Sequence, residues 1–275
     1  MRLFDQKFGA GFLAGVPAAP GVYRLYDPAG ALLYVGKARD LRRRLGQYRT
    51  ARRIKRDRKR RALVRSAQRI EWEVRETELD ASLAEIELIQ TLRPPKNVAG
   101  AFSFLYPFVG VRASGGEMHV CLTTAPEAFP AFDFHGAYGS RLVTREAFFA
   151  LGRLLRLVGH PTPRSRRARL RLPRHSHVIG FRRLPSEWPA MWRALFRGRS
   201  RAALEQLFLR LLEHPAARAR GAQIQEDLRA VERFFVDEAE RLAAAVAATG
   251  YAAYPVPQRD RDAMFLRYRD RVTSS

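Results

Sequence analysis

Residues 21–37 read GVYRLYDPAGALLYVGK, and this stretch leaves the chain little local freedom. Val22 and Arg24 alternate with Tyr23 and Leu25, which is the period of a strand. Pro28 presets φ and Gly30 admits positive φ, so Asp27-Pro28-Ala29-Gly30 turns the chain back. ALLYVGK then runs as the second strand of a hairpin. Asp40 can cap the next helix, where Leu41, Leu45 and Tyr48 fall at helical spacing. Arg42 and Arg43 are expected to face outward, and Arg44 to flank the apolar stripe.

Residues 49–61, RTARRIKRDRKRR, are too charged for a core. A short helix is expected around 60–69, and a third strand over 70–77, IEWEVRET. Thr77 with Asp80 resembles a capping box. It opens a helix whose expected apolar stripe is Leu79, Leu83, Ile86 and Leu92, and Pro94-Pro95 ends it. Glu85 lies beside Ala81, Ser82, Leu88 and Ile89 at helical spacing, an uncomfortable place for an idle carboxylate. The first hundred residues thus read ββααβα, a compact α/β unit.

After Gly100 the pattern changes. Strands are expected over 102–112 and 117–124 around Ser-Gly-Gly, and a helix over 143–158. Residues 161–177 form a basic, proline-broken loop with a strand in it, and helical patterns dominate from 186 to 247. Ile224, Leu228, Val231, Phe234 and Phe235 share one face of the helix over 222–247, which predicts core packing. The closing YPVPQRDRDAMFLRYRD is expected to fold back as a strand.

Charge narrows the function. Lys and Arg number 50 against 27 Asp and Glu, a net +23 with pI near 11.3. Such a balance predicts an anionic partner, and nucleic acid is the usual one. No amphipathic helix sets Trp or Phe cleanly against lysines, and no run of about 18 apolar residues occurs. A membrane partner is therefore not expected. Cys121 is the single cysteine, which excludes an internal disulfide and a cysteine-built zinc or iron–sulfur site. With no leader-like start, the expectation is a cytoplasmic protein. His160, His175 and His177 lack companion ligands and are read as surface or nucleic-acid-facing residues.

Gly21-Val22-Tyr23, Tyr34-Val35-Gly36-Lys37, Arg44, Tyr48, Glu85 and Asn97, in this order, resemble the GIY-YIG nuclease family. APGVYRLYDPAGALLYVGKARDLRRRL, TELDASLAEIELIQ and PPKN look like the N-terminal domain of the excinuclease UvrC, and equally like the Cho nuclease. The resemblance is close over 17–98. It implies an α/β (α+β) fold: a small domain over 16–98 with a three-stranded antiparallel sheet flanked by helices. A mixed, mostly helical UvrC/Cho-like region over 99–275 follows. FHGAYGSRLVTREAFFALGRLLRL echoes a UvrC segment, but the cysteines that hold the family's iron–sulfur cluster have no counterpart in the stretch that follows. The family's second nuclease domain and helix-hairpin-helix module match no segment of the 275 residues.

The resemblance also implies roles. Glu85 would be the sole protein ligand of one Mg²⁺ or Mn²⁺, since a hard carboxylate with water and phosphate suits either ion. Tyr34 would help deprotonate the attacking water, aided by Tyr23 and Lys37. Arg44 would hold the scissile phosphate, Asn97 would orient the site, and Tyr48 matches a family aromatic near the arginine. Arg39, Arg42, Arg43, Arg52, Arg53, Lys55, Arg56, Lys59 and Arg60 would meet the DNA backbone, which positions a strand without reading it. The implied function is a metal-dependent DNA endonuclease making the 3′-side incision in nucleotide excision repair, with UvrB as a candidate partner. A UvrB-independent structure-specific or mobile-element nuclease and a non-catalytic DNA-binding module are the alternatives.

Overall fold

Tyr23 is fully buried at the centre of a sheet, and the helices around it follow from how that sheet is covered. The structure is a computed structural model that describes residues 2–97, 105–163, 173–218 and 220–274. The chain divides into two units, one of residues 1–104 with 265–275 and the other of residues 105–264.

In the first unit, β1 (Gly21–Tyr26) lies between β2 (Leu32–Ala38) and β3 (Arg69–Val74), and both pairings are antiparallel. The turn forms as its residues dictate: Asp27 Oδ1 accepts the Ala31 N–H at 2.8 Å and Gly30 sits at φ 81°. Pairing passes from Leu25–Tyr34 to Tyr26–Leu32, which leaves Leu33 as a bulge residue. Leu33 and Tyr34 accordingly both join the same apolar cluster.

Helix α1 (Leu3–Phe8), α2 (Leu41–Arg49) and α3 (Arg58–Ser66) contribute Phe4, Leu41, Leu45, Tyr48, Leu63 and Val64 to that cluster. Asp40 caps α2 as expected, accepting from the Arg43 N–H at 2.8 Å. Phe4, Phe8, Phe12 and Trp72 form a ladder of ring contacts, 4.9 to 5.8 Å between centroids. That ladder fastens the N-terminal residues to β3. Residues 58–66 form α3, so the expected helix ends earlier and Arg69 already begins the strand.

Helix α4 (Glu78–Leu92) starts at the Thr77 cap, whose Oγ1 accepts the Asp80 N–H at 3.0 Å. Its buried side corrects the expected stripe. Ala81, Ser82, Ala84 and Ile89 are buried, whereas Leu79, Leu83 and Ile86 are half-buried and Leu92 is exposed. Small side chains let a helix backbone approach a strand closely, and here that outweighs the bulk of the leucines.

The second unit holds a five-stranded antiparallel sheet of order β6-β4-β5-β8-β7: β4 Phe108–Ser114, β5 Glu117–Thr123, β6 Asp133–His135, β7 His160–Pro161 and β8 His177–Arg182. The basic loop is described only outside residues 164–172, and residues 102–104 of the first expected strand also lie outside the described part. Helix α5 (Arg141–Val158) packs along α8 (Gly221–Phe234), and α6 (Trp188–Phe196) with α7 (Ala202–Glu213) completes the helical part. A π-helical segment, Phe235–Glu240, leads into α9 (Arg241–Thr249). Ile224, Val231, Phe234 and Phe235 are buried in the core, and Leu228 is half-buried. The expected terminal strand is instead a helix, α10 (Gln258–Ser274). Its arginines and aspartates favour a helix over an edge strand, and Pro255 and Pro257 stand before it rather than within it. Among the described residues no helix is long and apolar enough to cross a membrane.

Candidate active site

The exposed edge of β2 organises the site. An edge strand carries backbone groups that its sheet does not pair, and these need partners. Along β2 they occur at alternate residues 33, 35 and 37, and three groups from the end of the helical layer meet them. Lys96 donates its N–H to the Leu33 carbonyl at 3.0 Å. The Asn97 amide grips Val35 twice, accepting from its N–H at 2.9 Å and donating to its carbonyl at 2.8 Å. The Glu85 carboxylate accepts the Lys37 N–H through Oε1 at 3.1 Å. Asn97 thus acts as a missing strand neighbour, and Glu85 is aimed at the end of β2 by the same demand.

Asn97 is buried, and Asn97→Ala would leave both polar groups of Val35 unpaired. Urea unfolding of that variant should show a stability loss of about 2–3 kcal/mol, the scale for stranded buried backbone groups. An unchanged midpoint would mean that water replaces the amide without cost.

Beside β2 three tyrosines meet. Tyr23 pairs with Gly36 in the sheet register, and its ring crosses the space where a Cβ at residue 36 would stand. A Cβ built there would lie 2.5 Å from the Tyr23 hydroxyl and 2.9 Å from the Tyr34 ring. The glycine of the Tyr-Val-Gly triplet is therefore a requirement of close ring packing. The Tyr23 and Tyr34 centroids are 6.2 Å apart, and those of Tyr23 and Tyr48 are 5.9 Å apart. The hydroxyls of Tyr23 and Tyr48 share a hydrogen bond at 2.9 Å. Arg44 Nε donates to the Tyr23 hydroxyl at 3.2 Å, and its Nη1 donates to Gln47 Oε1 at 3.1 Å.

The electrostatics follow from this packing. Burial pushes the hydroxyls of Tyr23 and Tyr34 well above the usual tyrosine range, and Arg44 pulls against that rise in both. Burial pushes Tyr48 up to about 12. Glu85 is also raised by burial, opposed by Lys37, Arg44 and Lys59. Burial thus disfavours the ionised carboxylate, and the three nearby cations favour it.

Sequence reasoning missed two members of this group. Ser82 accepts Lys37 Nζ at 2.6 Å and donates its own hydroxyl to the Glu78 carbonyl at 2.7 Å, so it holds the lysine ammonium at the foot of Glu85. Its signal was its place three residues before Glu85 on the packed side of α4. Lys59, expected only as a DNA contact, lies with Nζ 4.8 Å from the Tyr34 ring centroid. No local pattern marks it.

The basic residues separate into those with protein partners and those without. Arg42 is exposed, as expected, but its Nε donates to the Val16 carbonyl at 2.7 Å, a structural tie. Arg39 faces Glu78 at 3.6 Å in an exposed pair of small energetic weight. Arg60 holds Asp57 at 2.6 Å, and Asp57 also accepts the Arg52 N–H at 3.0 Å. Arg43, Arg52, Arg53, Lys55 and Arg56 are exposed. Among the described residues no three His, Cys, Asp or Glu side chains gather as a metal cluster.

This sheet, with its tyrosine cluster and edge-bound carboxylate, lies within the stretch of the chain that is similar to known proteins. Residues 19–98 match the family model of the UvrC-like GIY-YIG domain. Over 154 residues the chain is 35% identical to the UvrABC system protein C of Proteus mirabilis, covering 56% of this chain and 24% of that protein. Over 108 residues it is 43% identical to the Salmonella heidelberg protein of the same name, covering 39% of this chain and 17% of the relative. The chain thus spans about a quarter or less of the length of these relatives. The magnesium-bound GIY-YIG N-terminal endonuclease domain of Thermotoga maritima UvrC is 28% identical, covers 35% of this chain and 98% of its own, and gives a TM-score of 0.29. The expected resemblance to the UvrC type of the GIY-YIG family is borne out over residues 19–98.

Proposed function

We propose that the chain is a metal-dependent endonuclease that hydrolyses a phosphodiester bond of DNA, with residues 16–98 as its nuclease domain. The observation that carries this reading is the convergence of Tyr23, Tyr34, Arg44, Lys37 and Glu85 around the end of β2. Hydrolysis needs a base for water, cations for the phosphate and stabilisation of developing charge. Tyr34 takes the proton of the attacking water, and Tyr23 and Tyr48 keep the hydroxyls in one hydrogen-bonded group. Arg44, already aimed at the tyrosines, binds the scissile phosphate. Lys37, held by Ser82, offsets negative charge beside the carboxylate.

The donor set fits a hard divalent cation. Glu85 spends Oε1 on a backbone N–H and has a second oxygen free of hydrogen bonds among the described residues. Mg²⁺ or Mn²⁺ there, completed by water and phosphate, would supply Lewis-acid stabilisation of the phosphate. The biological task that fits the UvrABC relatives is the 3′-side incision in nucleotide excision repair, with UvrB as the partner.

A nicking assay on lesion-bearing duplex, with and without Mg²⁺ and UvrB, tests both parts. Metal-dependent nicking stimulated by UvrB is expected. Nicking of branched, undamaged DNA without UvrB would reassign the task, and binding without any nicking under every metal tried would reject the enzyme reading.

A further inference from the structure

Beside Tyr48 the first unit holds a cavity of about 560 Å³. Six arginines line it: Arg2, Arg49, Arg52, Arg53, Arg61 and Arg65. Among the described residues no acidic side chain lines it, and Phe4, Tyr48 and Val64 give it an apolar part. The nearby carboxylates are already committed. Asp5 takes Arg49 Nε at 2.6 Å and Nη2 at 3.2 Å, and Asp57 takes Arg60 and the Arg52 backbone. The side chains of Arg2, Arg52, Arg53, Arg61 and Arg65 have no hydrogen bond or ion pair among the described residues, and all but the half-buried Arg61 are exposed.

A merely solvated charge run would spread its guanidinium groups over a convex surface. Here they line one concavity, and an anion seated there would offset their mutual repulsion. The walls are fixed rather than loose. Lys7 Nζ donates to the carbonyls of Arg65 at 2.6 Å and Ala67 at 2.7 Å, and Phe4 is buried. One wall, α1, lies outside residues 19–98, the stretch matched by the family model. Guanidinium forks suit the paired oxygens of a phosphodiester. Tyr48 connects the two places, since its hydroxyl meets Tyr23 while its ring lines the cavity.

We infer that this cavity is a second phosphate subsite, which takes a phosphodiester of the cleaved strand near the scissile bond. The inference rests on the nuclease reading for the identity of the strand. Arg61 and Arg65 present the phosphate-binding forks from α3, Arg2 closes the rim from the N-terminal helix, and Arg52 and Arg53 guard the mouth. The subsite fixes the register of the strand, so that the phosphate presented to Arg44 is set by a neighbour as well as by itself.

The test is a binding scan by fluorescence anisotropy with the full chain carrying Glu85→Gln, so that no cutting intervenes. The probe is a labelled duplex with one uncharged methylphosphonate moved through successive phosphates of one strand. At one position near that facing Arg44, the substitution should weaken binding about tenfold, the scale of one lost charge-assisted hydrogen bond. In Arg61→Ala/Arg65→Ala the same position should become insensitive, and the slope of log affinity against log salt should fall by about one phosphate's worth. Arg61→Gln/Arg65→Gln, which also keeps a good helix former on α3, is the second variant should the alanine pair melt early. A uniform loss with no position-specific difference, or affinity and salt slope equal to the parent, overturns the subsite. A parent chain that nicks nothing yet keeps the position-specific signal would fail the nuclease reading alone.

Discussion

Glu85→Gln is expected to lower metal-dependent nicking by at least about a thousandfold, because several kcal/mol of charge stabilisation leave with the cation. Glutamine keeps the shape of the side chain and can still accept the Lys37 N–H that Glu85 accepts at 3.1 Å. The fold should not suffer. Burial raises the folded-state pKa of Glu85, so the ionised carboxylate costs stability that is fully present only when the group is protonated. An uncharged amide removes that cost wherever the carboxyl would be ionised. Thermal melting should therefore be unchanged or slightly higher, and salt-sensitive DNA binding should persist. Glu87→Gln, on the exposed side of the same helix, is the matched control and should cut at the parental rate. Full cleavage by Glu85→Gln would remove the carboxylate from the chemistry.

Tyr34→Phe is the second large effect, about 10²- to 10⁴-fold, the range for loss of a positioned general base. The ring stays, so the packing with Tyr23 at 6.2 Å stays too. The pH profile makes the assignment specific. Burial holds the Tyr34 hydroxyl above the usual tyrosine range, against the pull of Arg44. Below its pKa the phenolate fraction grows tenfold per pH unit, so the parental rate should rise log-linearly from about pH 6 to about pH 9, with no plateau before the ordinary tyrosine value of roughly 10. Tyr34→Phe should flatten that rise as well as lower it. A variant with the same slope and nearly the same rate would show that another group takes the proton. Single-turnover cleavage at saturating DNA reads the chemical step without binding.

Much of the first unit is legible in the sequence because its signals are local. The Asp-Pro-Ala-Gly turn, the Asp40 and Thr77 caps and the spacing of Leu41, Leu45 and Tyr48 each depend on residues within a turn or two of one another. The buried side of α4 departs from the expected stripe because helix–strand packing there favours Ala81, Ser82 and Ala84 over larger leucines. The C-terminal helix departs from the expected strand because Pro255 and Pro257 lie before it rather than within it, and the arginines that follow suit a helix.

The sequence by itself determined the order of strands and helices from β1 to α4, the excess of cation over anion and the ordered set of tyrosines, lysine, arginine, glutamate and asparagine. Tertiary structure alone decided how that set is joined. Glu85 reaches Lys37 across 48 residues, and Asn97 reaches Val35 across 62, because an edge strand must satisfy its outward backbone groups with whatever the helical layer brings near. Lys59 over Tyr34 and the arginines closed in by α1 depend on the same kind of through-space meeting. No spacing in the chain encodes those meetings, since burial and charge compensation act on distance in space.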